Sequence, residues 1–359
     1  MEIKINEIPA ELKKDPAKIL EGTLGFGQIF CDRMFKTTYT PEKSWHDAHI
    51  GAYEPIVLDP AALVLHYAQE IFEGLKAYKQ NDGTVAMFRP EMNAQRFNNS
   101  AKRLVMPEVP VEDQLKAFEM LVKELVDWIP TKEGYSLYIR PTMIATTPIL
   151  GVQPSKEYLF YVICSPVAGY FAGGFKPVSI TTSEEFVRAA VGGIGAAKTG
   201  GNYAASLMAA KVAKEQGFDQ VVWLDANHHR YIEEMGGMNI MFVKGKKIFT
   251  CPLTGSILPG ITRNSVFTLA PELGYSIEET MLDADQICKE IDSGEISEIF
   301  ACGTAAVITA VGNFSHKGVN HQVADGQPGD VSKNLYNTLT GIQRGEIADK
   351  HGWVHRIEI

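Results

Sequence analysis

The stretch VGGIGAAKTGGNYAASLMAAK, residues 191–211, sets one lysine, Lys198, among small residues with a threonine directly after it. Such a lysine can do two kinds of chemistry. As a point charge in a glycine-rich loop it can clamp a nucleotide phosphate. As a neutral amine in a tight, partly desolvated site it can attack an aldehyde and hold a cofactor covalently. A solvated surface charge is the third reading, and Lys198 alone does not decide among them.

The nucleotide reading fits poorly. The pattern G-x-x-x-x-G-K-[ST] begins at Gly192 and finds Lys198 and Thr199 in place, with Asp225 of QVVWLD as a distal acid. It fails at Ala197, where the pattern needs glycine. It fails again upstream, where TSEEFVRAAVGG is charged and interrupted instead of being a buried apolar strand.

The aldehyde reading, with pyridoxal phosphate as the cofactor, needs an acid that keeps the ring nitrogen protonated, because the protonated ring is the electron sink. It also needs helix N-terminal amides and an arginine for the phosphate. EEMGGMN offers Glu233 and Glu234 at the head of an apolar strand. Strand alternation puts the two on opposite faces, so only one can turn inward, and the sequence leaves open which. GSILPGITRNSVFTLA sets Pro259-Gly260 before a helix start, where the amides of Ile261 and Thr262 are donors. IFACGTAAVITAVG repeats the device with a Gly-Thr turn after a strand. Two such turns can grip a phosphate, or a phosphate and a carboxylate.

These residues need a scaffold. TVAMFRP (84–90) reads as a strand feeding a helix over 91–106. Leu115, Phe118, Val122, Leu125 and Ile129 follow helical spacing up to Pro130. YSLYIRP (135–141) and EYLFYVIC (157–164) read as buried strands. The Gly/Pro-rich stretch SPVAGYFAGGFKPVS (165–179) is the expected domain boundary. Beyond it come a helix over 202–217, strands joined by turns over 218–250, two further helices (ITRNSVFTLAPELG and DADQICKEIDSG) and the strand ISEIFACG. The expectation is two α/β domains with a cleft between them: 1–168, an interdomain loop at 169–179, and a larger domain over 180–359.

Length and composition agree. At 359 residues, 45% of them hydrophobic and 21% charged, the chain is ordinary globular material too long for one core. No segment reaches the roughly 18 apolar residues of a membrane span, and the charged N-terminus is no secretory signal. A net charge of −9, with no basic run, argues against nucleic acid. Five scattered cysteines, Cys31, Cys164, Cys251, Cys288 and Cys302, read as free thiols of a reducing, cytoplasmic compartment. His228 and His229 sit in a polar turn, and no metal site is expected.

Taken in order and spacing, AAKTGGNY, EMGGMNI, LPGITR and CGTAA resemble the class IV, fold type IV, pyridoxal-phosphate aminotransferases. LHYAQEIFEGLKAY (65–78), FRPEMNAQRFNNSAKRL (88–104) and LYIRP (137–141) narrow the resemblance to branched-chain amino acid aminotransferases. It runs from about residue 25 to the C-terminal region. It implies an α/β fold of two domains with pyridoxal 5'-phosphate in the interdomain cleft. It also implies transfer of the amino group of L-leucine, L-isoleucine or L-valine to 2-oxoglutarate, giving L-glutamate, in a homodimer.

Residue by residue, the resemblance makes Lys198 the Schiff-base lysine and proton carrier. It pairs Glu234 with the pyridinium nitrogen and Tyr203 with the phenolic oxygen. It gives the phosphate to Arg96, the amides of Ile261 and Thr262, and Thr304, and it puts the α-carboxylate on the amide of Ala305. Phe26, Tyr67, Phe72, Tyr138 and Tyr170 line the side-chain pocket, with Tyr67 reaching across the dimer, and Arg140 meets the distal carboxylate. Two departures from the animal members stand out. Ala306 and Thr309 replace their redox CxxC, and Gly237 stands where they carry threonine. The alternatives within the fold are a D-amino acid aminotransferase and an aminodeoxychorismate-type lyase, which resemble shorter chains.

Overall fold

The computed structural model describes residues 1–169 and 175–359, and all counts here are of those residues. The chain divides into two compact units. The first comprises Met1–Ala172, Ala197–Gly200 and Gly341–Ile359, and the second Gly173–Ala196 and Gly201–Thr340.

The first unit is built on a nine-stranded sheet. Its middle is the long antiparallel pair Ser136–Ala145 and Tyr158–Val167, in register from Ser136 opposite Val167 to Ala145 opposite Tyr158. Ser136–Ala145 is buried almost throughout, as expected of a near-continuous apolar run in a covered sheet. Arg33–Thr40 and Ser44–Ala52 extend the sheet on one side, and Leu75–Lys79 and Val85–Phe88 on the other. The short strand Glu70–Phe72 also pairs with Ser136–Ala145, Phe72 lying opposite Thr142.

Helices Pro90–Arg103 and Val111–Glu124 bring Phe97, Ala101, Phe118, Leu121 and Val122 into one core with Phe35, Ile71, Leu137, Ile139 and Phe160. The second helix stops at Glu124, earlier than its apolar spacing suggests. A tighter 3-10 turn, Val126–Trp128, carries Trp128 and Ile129 into the same core.

The C-terminal end departs from the expected division. Val354–Ile357 pairs antiparallel with Val85–Phe88, and Ile357 joins the first unit's core, so 341–359 belongs there and not with the residues from 180 onward. Without that strand, Val85–Phe88 would leave its outer backbone groups unpaired at the sheet edge. Tyr170 and part of the expected interdomain segment 169–179 lie outside the described residues.

The second unit carries a ten-stranded sheet. Six of its strands close on themselves. Met238–Lys244, Glu298–Gly303, Val307–His316, Val178–Thr182, Gln220–Leu224 and Tyr231–Met235 pair in turn, and the last returns to Met238–Lys244. A closed ring removes free edges and fixes which side chains point inward. Helices Ile261–Glu272, Ala284–Asp292 and Asp330–Arg344 follow later in the chain. Among the described residues, no helix is long and apolar enough to cross a membrane.

Candidate active site

Lys198 belongs to the first unit because its backbone is held there from three directions. Its amide donates to Ser100 Oγ at 2.8 Å, its carbonyl accepts from the Phe72 amide at 3.0 Å, and Thr199 Oγ1 donates to the Glu70 carbonyl at 2.7 Å. Ser100 Oγ in turn donates to the Arg96 carbonyl at 3.1 Å, so the lysine is tied to the helix that carries Arg96. The Lys198 Nζ lies 4.6 Å from the centre of the Phe72 ring. Burial brings its pKa down to about 8; Glu73 pulls it upward, Arg96 pushes it further down, and Tyr138 and Arg140 add smaller opposed effects. A partly desolvated amine with a depressed pKa is the form in which lysine is a nucleophile or base near neutral pH.

Three consecutive residues of the FEG motif build the surroundings. Phe72 offers its ring face. Glu73 accepts from Arg96 Nε at 2.6 Å and from Arg96 Nη2 at 2.9 Å, and also from Asn93 Nδ2 at 2.7 Å and the Gly74 amide at 3.1 Å. Burial pushes the Glu73 carboxyl up, but its bonds to Arg96 and the nearby Lys198 outweigh that and hold it below the usual range. Gly74 makes room: a Cβ there would meet the Tyr138 hydroxyl and lie 2.7 Å from Tyr138 Cζ.

Tyr138 and Arg140, two residues apart, share one face of the strand Ser136–Ala145. The Arg140 guanidinium lies 4.8 Å from the Phe72 ring centre and 5.2 Å from that of Tyr138, and its Nη2 donates to the Tyr138 hydroxyl at 3.1 Å. Its Nε has no hydrogen-bond partner among the described residues. Phe26 meets Tyr138 edge-on, centroids 5.1 Å apart. Aromatic faces around one guanidinium suit an aliphatic chain and a carboxylate in turn. Tyr67 is used differently: it is 44% exposed, and its hydroxyl donates to the Leu150 carbonyl.

The second unit holds a carboxylate network. Glu234 is 1% exposed and pairs with Arg188 Nε at 2.7 Å. Its Oε1 accepts from the Leu258 amide at 2.9 Å and from Asn239 Nδ2 at 3.1 Å. Arg188 is fixed from the other side by the carbonyls of Ser256, at 2.7 Å, and Gly195, at 3.1 Å. Glu233, on the opposite face of the strand, takes a hydrogen bond from Ser256 Oγ at 2.5 Å, and its Oε2 has no partner among the described residues. Burial raises its pKa, against the lowering effect of Ser256.

Asn239 links this network to the helix Ile261–Glu272. Its Nδ2 donates to the Leu258 carbonyl at 3.1 Å, and its carboxamide fills the space a Cβ at Gly260 would take, with Cγ 3.2 Å away. Gly260 is the N-cap and makes no side-chain cap, so the first-turn amides beginning at Ile261 and Thr262 present a site for an anion. Thr304 and Ala305 form the turn between Glu298–Gly303 and Val307–His316, and Val307, β-branched, is held at φ +63° at its close. Such a conformation is costly for a branched residue and persists only where the surroundings impose it. Tyr203 faces the Gly237 position, where a Cβ would lie 3.8 Å from Tyr203 Cε1, an ordinary contact.

Sequence reasoning does not single out Glu73, Ser100, Asn93, Arg188 or Asn239. Glu73 lies inside the motif that flags Phe72, and a carboxylate one residue from an aromatic wall is the available signal. The nucleotide reading finds no support in the geometry: among the described residues no strand runs directly into Gly192, and Asp225 caps its own turn. Burial pushes Asp225 up, but the amides of Tyr231, Arg230 and His228 bring it down to about 2. All five cysteines are buried and free. Among the described residues, no group of three or more His, Cys, Asp or Glu could hold a metal ion.

Comparison with known proteins places relatives beside this geometry. The family model described as Amino-transferase class IV matches residues 70–314. The branched-chain-amino-acid aminotransferase of Mycolicibacterium smegmatis is 53% identical over 338 residues, covering 93% of this chain and 92% of the relative. The crystal structure of Escherichia coli branched-chain amino acid aminotransferase superposes with a TM-score of 0.75 at 30% identity, covering 91% of this chain and 99% of that one. The T.th. branched-chain amino acid aminotransferase with pyridoxamine 5'-phosphate gives 0.74 at 26% identity, covering 90% and 98%.

Proposed function

The chain belongs to the class IV aminotransferases, which use pyridoxal 5'-phosphate, and from that premise we propose that it moves the amino group of L-leucine, L-isoleucine or L-valine reversibly to 2-oxoglutarate. The observation that carries the reading is Lys198: a half-buried lysine, pKa brought down to about 8, with its amine against the Phe72 ring and near the Glu73–Arg96 pair. The residues present fit the cofactor's chemistry. They supply a depressed amine for the aldehyde, a carboxylate for a protonated ring nitrogen, and an arginine with helix N-terminal amides for a phosphate.

Bound there, pyridoxal phosphate supplies an electrophilic carbon and an electron sink that makes the substrate α-proton removable. Lys198 would anchor the cofactor through its Nζ and, once freed, would carry the substrate α-proton on that nitrogen. Glu234, held by Arg188 Nε at 2.7 Å, would be the acid partner of the ring nitrogen. Tyr203 donates to the phenolic oxygen. Arg96, the amides of Ile261 and Thr262, and Thr304 hold the phosphate, and the amide of Ala305 orients the substrate α-carboxylate. Phe26, Phe72 and Tyr138 would shape the side-chain pocket, and Arg140 would receive the distal carboxylate of 2-oxoglutarate or glutamate.

One methylene in such a pocket is worth roughly 1–3 kcal/mol, so valine, leucine and isoleucine should all be used, with kcat/KM values within about a hundredfold of one another. The same reading includes a homodimer, supported by the exposed apolar side chains Val57, Leu65, Tyr67, Leu150 and Val152. It includes a cytoplasmic location, supported by five free cysteines. The test is the visible spectrum of the purified protein. Leucine should bleach the cofactor band, and 2-oxoglutarate should restore it. A colourless protein that stays so after added pyridoxal phosphate refutes the reading, and bleaching that 2-oxoglutarate cannot reverse points to a lyase.

A further inference from the structure

Resting on that reading, we infer that Glu73 is a positioning residue that sets two elements of the site at once: the orientation of the Arg96 guanidinium and the charge balance around the Lys198 amine. The Glu73 carboxylate takes both Nε and Nη2 of Arg96, at 2.6 and 2.9 Å, which fixes the plane of the guanidinium. Asn93 Nδ2 and the Gly74 amide then fix the carboxylate itself. The whole arrangement is buried, Glu73 to 1% exposure, so neither partner can turn to solvent.

Three cationic side chains bear on the same region: Arg96 from the helix, Arg140 from the central strand, and Lys198. Among the described residues, the charged and titratable groups that bear most on Lys198 are Glu73, Arg96, Tyr138 and Arg140, and Glu73 is the largest influence opposing desolvation of the ammonium. Glu70 is a poor substitute. Burial raises its pKa, partly countered by the Gly200 amide that it accepts from, so its charge is the less secure of the two. Removing the Glu73 charge therefore takes away the largest influence that favours the ammonium, and shortening the side chain loosens its grip on the guanidinium without removing the charge.

The two effects are separable with Glu73→Gln and Glu73→Asp in the holoenzyme. Two readouts are needed: the pH midpoint of the cofactor's visible band, and the dissociation constant for pyridoxal phosphate. Glu73→Gln should lower the midpoint by about one pH unit, since an opposite charge at this range shifts a pKa by about 1–3. It should also weaken cofactor binding about tenfold. Glu73→Asp should keep the midpoint near wild type while still loosening the cofactor, a split that a generally weakened fold does not produce. If Glu73→Gln does not fold, Glu73→Asp alone decides. Its cofactor affinity within twofold of wild type overturns the inference, as does a midpoint shift in Glu73→Asp equal to that in Glu73→Gln. A wild-type protein lacking the visible band refutes the cofactor reading itself, so the two failures are distinguishable.

Discussion

Gly74→Ala tests whether the pocket wall is set by close packing. The added methyl would meet the Tyr138 hydroxyl and lie 2.7 Å from Cζ, against the 3.4 Å or more of ordinary contact. The backbone of Gly74 is held by its own amide bond to Glu73 and by Asn93, so the ring has to move, by about 1 Å at its hydroxyl end. Two interactions then suffer. The bond from Arg140 Nη2 to the Tyr138 hydroxyl, 3.1 Å long, involves a charged donor and is worth about 1.5–3 kcal/mol when shielded. Arg140 is half-buried, so we take about 1.4 kcal/mol, which is tenfold in affinity. The edge-on contact with Phe26 contributes roughly 1 kcal/mol.

Overpacking itself costs about 1–3 kcal/mol, so the thermal midpoint should fall by several degrees. Steady-state kinetics should show KM for 2-oxoglutarate up about tenfold and KM for leucine up less than threefold, because only the dicarboxylate depends on where Arg140 points. The visible spectrum should be unchanged, since Lys198 is held by Ser100 and Phe72 and not by Tyr138. A variant with wild-type KM for both substrates and an unmoved thermal midpoint would show that the ring has room to spare, and the packing argument would fall.

Arg140→Met keeps the apolar stem and removes the guanidinium; KM for 2-oxoglutarate should rise ten- to a hundredfold with leucine little affected, measured in separate half-reactions. Gly260→Ala forces Asn239 away from Glu234 and should lower the thermal midpoint, by about 1–3 kcal/mol in stability. Combining it with Asn239→Ala should recover part of that loss, and strictly additive losses would contradict the steric cause. His355 bridges Glu91 at 2.9 Å and Glu119 at 2.7 Å, tying the C-terminal strand to both helices of the first unit. Burial lowers its pKa, but the two carboxylates more than offset this, so its folded value lies above the ordinary 6.5. Its contribution is therefore fully present below about pH 6.5 and disappears as pH rises through the raised value. His355→Ala should thus destabilise by roughly 1 kcal/mol at pH 6 in denaturant titrations, with the difference closing in alkali. A difference that grows with pH would reverse the sign of the argument.

What is legible in the sequence divides along a physical line. Elements with strong periodicity or long apolar runs begin within a residue of where the pattern puts them, although both strands run on past the expected ends: the strands Ser136–Ala145 and Tyr158–Val167, and the helices Pro90–Arg103 and Ile261–Glu272. In each, many residues contribute to the same inference, so tertiary context rarely overrides it. The strand Val354–Ile357 is not legible, because four residues carry almost no pattern and its place depends on an open edge far earlier in the chain. The site divides in the same way. Lys198 is visible because a lysine among small residues is locally unusual. Arg96 is visible only through resemblance, and Glu73, its partner, only as the neighbour of Phe72 within a motif. A buried ion pair is a property of two residues that the fold brings together, and neither member's sequence neighbourhood encodes the other. That also explains why the FEG motif reads as one unit in the structure. Phe72, Glu73 and Gly74 serve three different neighbours, Lys198, Arg96 and Tyr138, which lie far apart along the chain. Substitutions at these three positions should therefore separate in their effects: on the aromatic face against the lysine at 72, on the cofactor's phosphate and the lysine's charge balance at 73, and on acceptor recognition at 74.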